Sequence, residues 1–156
     1  MMSNTLMRLI DPQMIFTGIE AGDANEVIAL LGGKLAEQDL VTESYVEAVI
    51  ARETDMPTGL PLGEINVAVP HTDPEHVVMP AVAVATLTKP VLFGNMEDPD
   101  EKLPISIVFL LALKEKDKQV EMLQAIAGLI QNGSLLEEMT AAADKEDILA
   151  LLAKAA

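Results

Sequence analysis

The chain has no cysteine. Disulfides, thiolate nucleophiles and cysteine-bound zinc are therefore excluded. Tryptophan is also absent, and aromatic residues make up only 3% of the chain, so the core has to be aliphatic, built from Leu, Ile, Val, Ala and Met. The nine methionines read as flexible core filling rather than as a binding surface. Cations are scarce: ten Lys and Arg stand against 25 Asp and Glu, for a net charge of −15. That balance argues against nucleic-acid binding, which draws much of its affinity from Lys and Arg on phosphates. It argues equally against an anionic membrane surface. Basic proteins and neutral small molecules suit this charge better, and a phosphorylated partner would need a local positive spot. Long apolar runs are missing too. The most apolar, Ile105 to Leu113, is far too short to span a bilayer. The N-terminus lacks a basic segment followed by a sustained apolar run, so no signal peptide is expected and the expected compartment is the cytoplasm.

What remains is ordinary globular composition. Half of the 156 residues are hydrophobic and 22% are charged, which suits one domain over residues 1–156 with a sizeable core. Met1 to Asn4 reads as frayed and Met14 to Thr17 as a weak strand. Asp23 and Glu26 form a capping-box variant ahead of a helix that turns Val27, Leu30, Leu31 and Leu35 to one face, with Gly32 and Gly33 in its middle. Thr42 can cap a second helix with Tyr45, Val46, Val49 and Ile50 as its buried stripe, and Pro57 and Gly59 stop it.

Short strands follow at Leu60 to Gly63 and Ile65 to Val69. Ala81 to Thr88 and Val91 to Phe93 are further strands. Gly94 to Glu101 is an acidic solvated turn. Ile105 to Leu113 is a central strand buried on both faces. Asp117 caps a long helix ending at Asn132 and Gly133, Ser134 and Glu137 form another capping box, and Asp144 opens a last helix. Helices flank strands throughout, which predicts an α/β fold with a mixed sheet covered on both faces.

Both histidines lie between Val67 and His76. Pro70 keeps Val69 extended, so His71 sits just past a strand end. Asp73 and Pro74 then suit a helix start, whose free N–H groups favour an anion. Other chemistries find no footing. No Gly-x-x-x-x-Gly-Lys loop and no Gly-x-Ser-x-Gly elbow is present. Carboxylate pairs such as Asp98 and Asp100 fall on the acidic turn. His71, Asp73 and His76 invite a metal reading, in a hydrolase for instance. Five residues along a helix turn through about 500°, however, which leaves the two rings roughly 140° apart. Without metal or cysteine, His71 can act as a general base or a nucleophile, or it can be structural; the residues alone leave these open.

Arg52-Glu53, Pro57-Thr58-Gly59 and Val67 to His71, with a second histidine at His76, resemble the signature of the mannitol/fructose-type enzyme IIA domains of the bacterial sugar phosphotransferase system. The likeness is greater to the galactitol-type branch and covers nearly the whole chain. It implies a mixed sheet flanked by helices. It implies that His71 takes a phosphoryl group from the histidine-containing phosphocarrier protein and passes it to a cysteine of the cognate enzyme IIB, serving the membrane component IIC in uptake of a polyol such as galactitol. It gives Arg52 the task of steadying the phosphoryl group. Thr58, Thr72 and His76 are supporting candidates, and no metal or cofactor is called for. Mannitol and fructose types carry a further histidine where Gln119 stands here; Gln119 can donate a hydrogen bond but cannot titrate. A regulatory phosphohistidine module that signals to a protein partner is the alternative.

Overall fold

The computed structural model describes residues 7–155. The expectation for Met1 to Asn4 lies outside them. Among the described residues, five strands form one mixed sheet in the order β1-β4-β5-β3-β2: β1 (Ile10–Ile19), β2 (Gly59–Leu60), β3 (Asn66–Ala68), β4 (Ala81–Gly94) and β5 (Lys102–Ala112). β1 runs parallel to β4 and β3 parallel to β5, while β4–β5 and β2–β3 are antiparallel. Helices α1 (Ala24–Glu37) and α2 (Tyr45–Asp55) cover one face, and α3 (Lys116–Leu129), α4 (Gly133–Ala141) and α5 (Lys145–Ala155) cover the other. The expected α/β architecture is what the chain adopts.

β5 is the middle strand, and its alternation feeds two cores. Val108, Leu110 and Ala112 pack under α1 and α2, while Ile107, Phe109 and Leu111 pack under α3, α4 and α5. Ile105 shares a face with Val108, so the alternation slips at Ser106. There the β4 register also jumps, from Thr86 to Val91. The two strands expected at Ala81 to Thr88 and Val91 to Phe93 are thus one strand. Pro90 lies in the stretch that bulges out, where its missing N–H costs no ladder bond.

Several local expectations change. In α1 the buried face uses Ile28, and Leu30 points outward. Gly32 is a contact rather than a weakness, because a Cβ there would lie 2.6 Å from Val46 Cγ2, so its absence lets α1 and α2 approach. Thr42 does not cap α2; its hydroxyl meets that of Ser44, the residue before the helix. The strands expected at Leu60 to Gly63 and Ile65 to Val69 shrink to β2 and β3. α3 starts before Asp117 and ends at Leu129, and Asn132, not Ser134, caps α4 by accepting the Leu135 N–H. Asp23 and Asp144 cap as expected. Of the methionines, Met14, Met122 and Met139 fill the core, but Met56, Met79 and Met96 are exposed. No described helix is long and apolar enough to cross a membrane.

Candidate functional site

The site is assembled just past the end of β3, beside the last residues of the parallel strand β5. After β3, Val69 and Pro70 carry the chain across the sheet end, and the Pro70 carbonyl accepts the Leu111 N–H of β5 at 3.0 Å. That bond fixes the backbone on which His71 stands. His71 is 9% exposed, and its ring Nδ1 lies 2.9 Å from the Val69 carbonyl. A carbonyl can only accept, so Nδ1 carries the proton and Nε2 is left with the lone pair. Nε2 has no hydrogen-bond partner among the described residues. Burial pushes the His71 pKa below the ordinary histidine value. The Val69 bond works against that shift, the Arg52 charge adds to it and Asp73 opposes it. The result is a neutral imidazole of one tautomer.

Arg52 stands in the last turn of α2. Its Nη1 is 4.0 Å from Asp73 Oδ1, a loose and partly exposed ion pair. Its Nε is buried and makes no hydrogen bond among the described residues. A buried donor without an acceptor is uncommon, and it marks a place where an anion's oxygen would be welcome.

The other candidates are placed in different ways. Thr72 is buried and its hydroxyl makes no hydrogen bond among the described residues, so the local turn bond open to it is not made. Its carbonyl accepts Gln119 Nε2 from α3 at 2.7 Å. Gln119 therefore holds the His71 loop against α3, with one amide hydrogen still to spare. Thr58 donates its hydroxyl to Glu53 and accepts the Val69 N–H, so it braces the loop from behind. His76 turns to the α1–α2 connection. Its Nδ1 is 2.7 Å from Ser44 Oγ, and its carbonyl accepts the Thr42 N–H. Its Nε2 lies 3.9 Å from Glu75.

One expectation fails here. The helix start at Asp73 and Pro74 is only a three-residue 3₁₀ turn, Pro74–His76, and Asp73 makes no capping bond. Residue 77 leaves that turn to pair with Val41, which ends it before any helix dipole can build. Among the described residues, His71, Asp73 and His76 included, no group of three or more His, Asp or Glu could hold a metal ion. Glu53, quoted in the sequence only as part of a motif, proves to be buried beneath the loop. Burial pushes its carboxyl up to about 7, against the two hydrogen bonds from Thr58 and the Lys102 charge. Its pairing with Thr58 five residues away has no signature in helical or strand periodicity.

The sequence of residues 8–155 matches the family described as phosphoenolpyruvate-dependent sugar phosphotransferase system, EIIA 2. The chain belongs to this family. It is 28% identical over 123 residues to the galactitol-specific EIIA component of Escherichia coli strain K12, covering 79% of this chain and 81% of that protein. Its fold superposes on the mannitol IIA of the same species with a TM-score of 0.76 at 26% identity, covering 91% of this chain and 97% of the other. A complex of the mannitol enzyme IIA with phosphorylated enzyme IIB, also from E. coli, matches with a TM-score of 0.76 and 27% identity, covering 94% of this chain and 99% of the matched chain. At the level of the family, the activity is phosphoryl carriage on a histidine within the sugar phosphotransferase system.

Proposed function

We propose that His71 Nε2 is the phosphoryl acceptor and that this IIA serves a polyol of the galactitol kind. The observation that carries the reading is a buried, Nδ1-tethered imidazole near enough to Arg52 to feel its charge, together with an Arg52 Nε that has no partner among the described residues. The Nε2 lone pair attacks the phosphorus of a phosphohistidine on the phosphocarrier protein. The donor's P–N bond breaks, and its electron pair returns to the donor ring. Such transfer is mostly positioning and charge stabilisation. In this reading Arg52 meets the negative equatorial oxygens, with the Thr72 hydroxyl and a spare Gln119 amide hydrogen as further donors; the unpartnered Arg52 Nε supports it. As the P–N bond forms, the proton on Nδ1 stays on the Val69 carbonyl side and spreads the ring's developing charge into that bond.

In the second half of the cycle a cysteine thiolate of the cognate enzyme IIB attacks the same phosphorus, and Nε2 recovers its lone pair. The likeness to a galactitol-specific component supports the polyol. The likeness to a mannitol enzyme IIA in complex with phosphorylated IIB supports the order of partners. We place the exchange in the cytoplasm, with the membrane component IIC downstream. Residues 1–156 form the carrier domain in this reading.

The test is intact-mass spectrometry after incubation with phosphoenolpyruvate, enzyme I and the phosphocarrier protein. The expected product carries one phosphoryl group that is labile in acid and stable in base. His71→Ala should take up none, and full labelling of that variant would overturn the assignment. Transfer from the labelled protein to purified galactitol-type and mannitol-type IIB then separates the polyols, with faster transfer to the galactitol type expected.

A further inference from the structure

Glu53 has no part in the steps above, yet both of its oxygens are engaged by one neighbour. Oε2 accepts the Thr58 N–H at 2.8 Å and Oε1 accepts the Thr58 hydroxyl at 2.7 Å. With Oε1 as its acceptor, the Thr58 hydroxyl is turned to donate and its lone pairs face away. Those lone pairs accept the Val69 N–H at 3.2 Å, an N–H shared with a longer 3.4 Å contact to the Thr58 carbonyl. The Val69 carbonyl in turn holds His71 Nδ1. Glu53, Thr58, Val69 and His71 are all buried, so water does not compete for any link. The chain of bonds therefore leads from a carboxyl group in the last turn of α2, through Thr58 just before β2 and Val69 just after β3, to the His71 ring.

We propose that Glu53 is a positioning residue for His71: by clamping Thr58 it fixes the Val69 backbone, and through it the ring's tautomer and the aim of Nε2. This rests on the reading of His71 as the phosphoryl acceptor. Burying a carboxyl group is costly, and the two Thr58 bonds, with a smaller contribution from the Lys102 charge, offset that cost only in part. If Glu53 merely closed the turn after α2, its loss would lower stability and leave the ring untouched. If it positions the ring, its loss shows in the tautomer and in the rate of each folded molecule.

The experiment uses the full chain with ¹⁵N-labelled histidine. The wild type should show a protonated Nδ1 and an unprotonated Nε2 for His71. In Glu53→Gln one acceptor becomes a donor facing Thr58, and His71 should relax to a mixture of tautomers. The turnover of phosphorylation should fall about tenfold, with the KM for the phosphocarrier protein changed less than about twofold. Thr58→Val should reproduce both effects and Thr58→Ser should restore both. If Glu53→Gln does not fold, the two Thr58 variants make the same comparison. Folded variants that keep the wild-type tautomer and turnover would overturn the proposal. The tautomer measurement requires no phosphoryl transfer, so it stands or falls separately from the His71 assignment.

Discussion

Burial and a backbone carbonyl pull His71 in opposite directions, and burial prevails. Its folded pKa lies below the unfolded value of about 6.5. Above that value both states are neutral and the group is silent. As pH falls through it, the unfolded chain takes up the proton first, so stability declines until the folded ring also titrates. If His71 is the proposed acceptor, its nucleophilic form is protected over the same window. Single-turnover phosphorylation should hold its rate from pH 7 to below about 6.5, and an acid limb at or above that value would contradict the depressed pKa. Arg52 invites a sharper test. Lysine keeps the charge but has no counterpart to the buried Nε, so Arg52→Lys should slow transfer about 10- to 100-fold without altering thermal stability by more than a few degrees. At this scale the motif pointed to His71 and Arg52. It did not reveal that Thr58 and Gln119 act on the loop rather than offering their main donors to the ligand. Donor direction depends on which atom a neighbour from another element presents.

Among the elements, the link from α2 to β2 matters most to the site, because it brings Arg52 and Thr58 to the His71 loop. Gly59 makes that link possible. A Cβ there would lie 2.5 Å from the Gly94 carbonyl oxygen, a backbone atom that cannot swing aside. Gly59→Ala should destabilise the protein by about 1–3 kcal/mol, read by urea denaturation with an unchanged m-value. An effect under about 0.5 kcal/mol would show that the strands can part at no cost. Periodicity located α1, α2 and the buried central strand, since each repeats one pattern over many residues. It split β4 at Pro90 and overextended β2 and β3. Bulges and short pairings are decided by the partner strand, which local sequence does not contain.

For the whole molecule, charge is the dominant fact. At −15 the surface repels acidic partners and draws basic ones from beyond contact distance. The donor's docking face should therefore be basic. Raising ionic strength from about 0.1 M to about 1 M shortens the screening length from about 10 Å to about 3 Å. The KM for the phosphocarrier protein should rise severalfold over that range while turnover changes little. A KM that falls with salt would mean that the two proteins meet as like charges. Composition alone excluded disulfides and cysteine chemistry, because those depend on residues being present at all. The chain's alternation and spacing determined the α/β class and pointed to the Pro70-His71 loop, because a repeating pattern survives without knowledge of neighbours. Only the tertiary structure decided which nitrogen of His71 is free, that Arg52 keeps a donor unpaired, that His76 is turned to Ser44, and that Glu53 lies beneath the site. Each depends on atoms from distant parts of the chain meeting within hydrogen-bond distance, and that distance is set by packing.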